Sequence, residues 1–314
     1  MKRGFYTIMS AQFFSSLADN ALFVAAVELL RTSGAPEWQR AALVPMFALF
    51  YVVLAPFVGA FADALPKGRV MFVSNAIKIV GCLMMLFGSH PLIAYAVVGL
   101  GAAAYSPAKY GILTELLPAS QLVKANGWIE GLTIASIILG VLLGGQLVGH
   151  HLSAALLSID IPMIDFGIHT AAEAAIAALI LVYALAAWFN TRIPHTGVEM
   201  RPLRQHPQRS ILASTLALLP DFWACNSRLW HDKLGQISLS TTTLFWGAGG
   251  NLKFIVLAWA GVALGYNTTQ ASALTGVVAI GTAVGAVAAS MRMRLDMATR
   301  VIPLGITMVL FASS

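Results

Sequence analysis

A chain of 314 residues with 58% hydrophobic and 10% charged residues and a mean hydropathy of +0.79 is too apolar for a water-soluble domain, which carries about 25% charge. The net charge of +6 calls for no nucleic-acid partner, because basic residues of multi-spanning proteins gather in cytoplasmic loops. The two cysteines, Cys82 and Cys225, give no framework for a disulfide-stapled fold.

Crossing about 30 Å of hydrocarbon takes about 20 apolar helical residues. Such windows lie near 8–30, 41–62, 70–88, 92–117, 126–149, 167–189, 241–265 and 270–291, and a ninth begins at about Val301. The first is too long for a signal peptide and carries Asp19 and Glu28, so it reads as a retained span. The ninth stops before it can cross, so a fragment of a longer membrane protein is expected. The fold class is an all-α integral membrane bundle.

Orientation follows from the 19 lysines and arginines. With the N-terminus inside, the cytoplasmic set is Lys2, Arg3, Lys67, Arg69, Lys124, Arg192, Arg201, Arg204, Arg209, Arg228, Lys233, Arg292, Arg294 and Arg300. Only Arg31 and Arg40 fall outside, and Lys78, Lys109 and Lys253 fall within spans. This asymmetry predicts a cytoplasmic N-terminus.

After six spans the chain turns polar over 191–240, with Pro194, Pro202 and Pro207. This divides it into an N-terminal six-helix bundle (1–190), a cytoplasmic linker (191–240) and a partial C-terminal bundle (241–314). Within the linker, an apolar stretch over 211–219 is followed by Trp223, Arg228, Trp230 and Lys233. That composition suits either a helix lying in the membrane interface or a loosely packed linker helix. The halves share a faint repeat. Asn20-Ala21-Leu22-Phe23 aligns with Asn251-Leu252-Lys253-Phe254, and Gly59-Ala60-Phe61-Ala62 aligns with Gly285-Ala286-Val287-Ala288 at a similar offset.

In the loop between spans 2 and 3, Gly59-x-x-x-Asp63-x-x-x-Lys67-Gly68-Arg69 combines a glycine for close helix approach with a carboxylate able to bias one transport state. Asp63, Lys67 and Arg69 are therefore candidate gating residues. In span 1, Gln12, Ser16 and Asp19 share one helical face with Asn20 beside them. A midspan carboxylate is costly unless it faces water or a partner, which makes Asp19 a candidate substrate-binding residue. Lys253 holds the midpoint of its own span, so the repeat places both charges toward one central cavity, for binding or as a static salt bridge.

Lys109 and Lys78 either snorkel to the headgroups or pair with Glu130 and Glu115 near the cytoplasmic surface as a gate. Pro107 is expected to kink span 4. Gly127-x-x-x-Gly131, Gly140-x-x-x-Gly144, Gly145-x-x-x-Gly149 and Gly281-x-x-x-Gly285 read as packing or sliding surfaces. No histidine begins a His-x-x-x-x-Asp acyltransferase motif, and no Gly-x-x-x-x-Gly-Lys-Ser/Thr phosphate loop is present. Neither an enzyme nor a cofactor is expected.

The loop motif resembles the signature of the major facilitator superfamily, without the Arg that usually follows the Asp. Ala18-Asp19-Asn20-Ala21-Leu22, Ala55-Pro56-Phe57-Val58-Gly59, Lys67-Gly68-Arg69-Val70-Met71, 101–113 (GAAAYSPAKYGIL), 122–127 (LVKANG) and 244–249 (LFWGAG) together resemble the lysophospholipid transporters of that superfamily. The resemblance implies a flippase of the bacterial inner membrane. It would carry lysophosphatidylethanolamine and lysophosphatidylglycerol from the outer to the inner leaflet, where a partner acyltransferase, acyl-ACP synthetase, re-acylates them. Lys253 stands where the family leads one to expect Arg, which keeps the charge and loses the bidentate fork. Two other readings stay open: a proton-coupled exporter of amphipathic compounds with Asp19 as protonation site, and a lipid-binding sensor or scaffold.

Overall fold

A computed structural model describes residues 3–149, 168–198 and 211–265, with isolated positions at 157, 200, 277, 280–282, 284–285, 287–288, 291–292 and 303. The expected ninth span lies outside the described residues apart from position 303, and only part of the eighth is described. Among the described residues the chain is helical. In order, α1 is Arg3–Thr32, α2 Glu37–Val53, α3 Ala55–Ala64, α4 Lys67–Leu86, α5 Pro91–Leu116, α6 Ala119–Val148, α7 Ala171–Thr191, α8 Ile211–Leu216, α9 Leu218–His231 and α10 Lys233–Ala263.

By length and apolarity, α1, α4, α5, α6 and α7 each suffice to cross a membrane. The window at 41–62 is not one straight span: α2 and α3 meet at a 66° bend. Pro56 causes the break, since it has no N–H for the helical ladder and its ring crowds the preceding turn. The ladder stops at Leu54 and restarts with its carbonyl accepting from Phe57 N and Val58 N. Pro107, by contrast, is accommodated inside a continuous α5.

Turn chemistry reverses the chain at both ends. At one end, α1 and α4 each stop on a left-handed glycine, Gly34 and Gly88, with Ala35 N and Ser89 N donating back to Leu30 and Met84 carbonyls. Pro36 and Pro91 then open the next helices. At the other end, the end carrying Lys67 and Arg69, Pro66 and Pro118 precede α4 and α6. A reciprocal cap between Thr170 and Glu173 starts α7.

The helices pack as α1 on α6 and α7, α4 on α5 and α7, and α2 on α5. Small residues set the spacing, because helices in lipid associate through close packing rather than hydrophobic burial. A Cβ on Gly140 would lie 2.5 Å from the Leu17 carbonyl oxygen, and one on Gly144 would lie 2.7 Å from that of Ala21. Buried Ala18, Ala21 and Ala25 form the matching stripe on α1. Gly145 and Gly59 have nothing within 4 Å of such a Cβ. Among the described residues, the close approach expected at Gly59 is therefore not made.

Candidate functional site

Small residues between the helices let charged groups of α1 and α4 meet tyrosines of α5 and α7 mid-bundle. Asp19 Oδ2 accepts a hydrogen bond from Lys78 Nζ at 2.8 Å. Asp19 Oδ1 accepts one from the Tyr183 hydroxyl at 2.7 Å. Lys78 Nζ also donates to Ser15 Oγ at 2.9 Å, and Ser15 donates to Asn75 Oδ1 at 2.8 Å. The ammonium lies 5.2 Å from the Tyr105 ring centroid and 5.6 Å from that of Tyr183, so aromatic faces supplement the ion pair.

Lys78 is thus not part of a surface gate with Glu115 or Glu130. It sits near the middle of α4, level with Asp19, and its side chain is 2% exposed. Gly101 makes this possible: a Cβ there would lie 2.6 Å from the Ser74 carbonyl oxygen and 2.7 Å from Lys78 Cγ. The partner of Asp19 is Lys78; the side chain of Lys253 lies outside the described residues, although position 253 falls within α10.

The polar face of α1 divides between two neighbours. Ser15 and Asp19 turn to α4 and α7. Gln12 instead donates to Thr133 Oγ1 of α6 at 3.2 Å, and both Gln12 and Ser16 are buried. Asn20 donates to the Ser16 carbonyl at 2.8 Å, which satisfies part of its amide within α1.

Lys109 on α5 is buried, and its ammonium lies 4.3 Å from the Tyr110 ring centroid. Among the described residues no carboxylate comes within ion-pair distance of it. Glu130 of α6 instead accepts a hydrogen bond from the Tyr110 hydroxyl at 2.7 Å. The expected Lys109–Glu130 contact is replaced by a Tyr110-bridged one, which leaves a buried cation available for an anionic ligand.

At the basic end, Lys67 joins three helices. It donates to Asp63 and, at 2.8 Å, to the Ala62 carbonyl, and it lies 3.7 Å from Glu115 of α5. Glu115 also accepts from Thr196 at 2.6 Å, tying the segment after α7 to the same cluster. Glu115 therefore pairs with Lys67 rather than with Lys78 or Lys109. Arg69 lines a neighbouring cavity of about 550 Å³ with Phe72 and His195.

Ser15, Asn75, Tyr105, Tyr110, Thr133, Tyr183 and Thr196 were not singled out from sequence. Two signals were available. Asn75 and Lys78 stand three residues apart on an otherwise apolar helix, and a midspan tyrosine hydroxyl needs a partner.

A cleft of about 700 Å³ lies between α6 and the described residues of 284–292, lined by Trp128, Leu132, Val284, Val287 and Met291, with Arg292 its charged member. The family model described as Major Facilitator Superfamily matches residues 8–314. A lysophospholipid transporter LplT of Yersinia enterocolitica is 40% identical over 307 residues, covering 98% of this chain and 69% of the relative.

The chain belongs to the lysophospholipid transporter family of the major facilitator superfamily.

LplT proteins of Yersinia pestis and Yersinia pseudotuberculosis match at the same 40% identity and the same coverage. The solved structure of the proton:xylose symporter XylE aligns over 92% of this chain and 69% of its own, with 15% identity and a TM-score of 0.48. The family assignment rests on the sequence matches alone.

Proposed function

We propose that this chain is a lysophospholipid transporter that moves lysophosphatidylethanolamine and lysophosphatidylglycerol from the outer to the inner leaflet of a bacterial inner membrane. The observation that carries this reading is the 40% identity to lysophospholipid transporters across 98% of the chain. The geometry accords with it. A lysophospholipid brings one phosphate and one acyl chain, and the bundle offers a buried Lys109 with no carboxylate partner among the described residues and an apolar cleft beside α6.

In this reading Lys109 attracts the phosphate, and Asp19, Asn20, Gln12, Ser16 and Lys253 complete the binding surface. Asp19 already holds Lys78 and Tyr183, so an ammonium headgroup that reaches it competes with both of them. Headgroup binding and helix rearrangement are coupled by that competition. Asp63, Lys67 and Arg69 act at the basic end, where helix contacts break and re-form during the transport cycle. With Lys78 turned to Asp19, its part in gating is at the centre of the bundle, and Glu130 positions Lys109 through Tyr110.

The N-terminal bundle over 1–190, the linker over 191–240 and the partial second bundle over 241–314 belong to the same reading, with the N-terminus cytoplasmic. α10 begins at Lys233, so the second bundle's first helix emerges from within that linker. Re-acylation of the product by an acyltransferase, acyl-ACP synthetase, follows from the family resemblance.

The test is leaflet-resolved flipping. Labelled lysophosphatidylethanolamine or lysophosphatidylglycerol is added to the outer leaflet of proteoliposomes holding the full-length protein, then back-extracted with albumin. Protein-dependent loss of extractable label is expected. Full extraction throughout, or movement only of non-lipid amphiphiles under a proton gradient, rejects the reading.

A further inference from the structure

The short helix α9 departs from every spanning helix in its pattern. Its 14 residues reach about 21 Å at 1.5 Å per residue, too short to cross hydrocarbon. Around its circumference, Leu219, Phe222, Trp223, Leu229 and Trp230 fall within one arc, while Asp221 and Arg228 fall on the opposite side. None of its residues is buried. Trp223 is 71% exposed and Trp230 49%, so its apolar arc remains largely uncovered by the bundle.

Its attachments set its depth. Asp232 ends α9 and at once caps α10, its carboxylate accepting from Gly235 N at 2.8 Å, and Gln236 of α10 donates back to the Trp230 carbonyl at 2.6 Å. The two helices are therefore hinged rigidly at this corner. α10 has 31 residues, about 46 Å of helix, close to the roughly 40–45 Å of a bilayer with its headgroups. The apolar window at 241–265 falls within α10 up to Ala263, which places the start of α10 at headgroup level when that window spans the membrane, and α9 ends where α10 begins. α9 also packs against α3, the shorter limb of the bent pair that ends at the basic loop.

From the arc, the exposed indoles and the corner with α10, we infer that α9 lies in the plane of the cytoplasmic leaflet, its apolar arc in the acyl boundary and Arg228 toward anionic headgroups. Indoles favour this layer because the ring is apolar and its N–H finds a partner among headgroups. Arg228 and Lys233 can reach headgroup phosphates, while Asp221 and Asp232 balance their charge, so the attachment rests on the apolar arc. This occupant is chosen over a protein because the arc sits at the mouth of a spanning helix, where lipid is the neighbour present in every state. The inference is independent of the transported substrate. It makes the linker an anchored element rather than a free tether, holding α3 and α10 at a common depth.

The test uses full-length protein in phosphatidylglycerol-containing liposomes, with Cys82→Ala and Cys225→Ser as background. Single cysteines at Leu219, Trp223 and Trp230 on the arc, and at Asp221 and Arg228 opposite, carry a nitroxide. Collision accessibility is read with oxygen, which partitions into lipid, and with a water-soluble nickel chelate. Arc positions are expected to show an oxygen-to-nickel ratio several-fold above the opposite positions. High nickel access on the arc means a water-exposed linker helix, and low access to both reagents means a protein cover; either overturns the inference. As a second readout without cysteine variants, brominated lipids should quench wild-type tryptophan fluorescence more than that of Trp223→Phe/Trp230→Phe. Equal quenching of the two proteins also overturns it.

Discussion

The Asp19 carboxylate on α1 and the Lys78 ammonium on α4 meet at 2.8 Å in the interior of the bundle, and Tyr183 of α7 holds the second carboxylate oxygen. Three helices are joined through one acid. Removing one partner of a buried pair leaves the other charge unsatisfied, which costs about 3–5 kcal/mol. Asp19→Asn and Lys78→Gln should each lower the melting temperature and the folded yield in detergent. The double variant should regain most of that loss. If the double variant is as unstable as the sum of the singles, the two charges do not depend on each other.

The phosphate role of Lys109 separates from stability in the same assay. A charge-assisted hydrogen bond contributes about 1.5–3 kcal/mol, so Lys109→Gln should slow flipping of both lysolipids about ten- to a hundredfold. Folded yield should hold, because Lys109 leaves no paired carboxylate behind. Lys109→Arg should retain much of the rate. Unchanged flipping by Lys109→Gln removes the residue from the binding surface.

Asp63 is 58% exposed at its side chain, and exposed ion pairs contribute about 0–1 kcal/mol to stability. Asp63→Ala should therefore leave abundance near wild type while reducing the flipping rate, if Lys67 is released and re-caught during the cycle. Rate and protein level must be read together. Wild-type flipping at normal abundance would end the gating assignment.

Glycine substitutions should sort by what faces them. Gly140→Val drives a side chain against the Leu17 backbone carbonyl, which cannot rotate away. Overpacking of this kind costs about 1–3 kcal/mol. Gly145→Ala, with nothing within 4 Å, should be close to neutral. Thermal melts of the two purified variants compare them directly, and equal melting temperatures would contradict the packing described for α1 and α6.

Orientation can be read from the native cysteines. Cys82 is buried and Cys225 exposed on α9. An impermeant maleimide should label Cys225 in inverted inner-membrane vesicles and spare it in vesicles of native orientation. Labelling in native-orientation vesicles would place α9 outside and reverse the topology.

Hydropathy, span positions and the basic asymmetry belong to contiguous windows of chain, because lipid demands an apolar helix wherever the backbone crosses. The sequence by itself therefore determined an all-helical membrane protein and its family, and it singled out Asp19 as a charge too costly to be incidental. It misjudged what is not local. Asp19 and Lys78 are 59 residues apart, and their contact exists because Gly101 lets α5 close on α4 and Tyr183 arrives on α7. Lys78 near a midspan position looked the same from sequence whether it snorkelled, gated or paired. The bend at Leu54 likewise turned on Pro56 interrupting the ladder there, whereas Pro107 was absorbed within a continuous α5. Which charge meets which was decided by the packing of small residues between helices, a three-dimensional property with no signature along one segment.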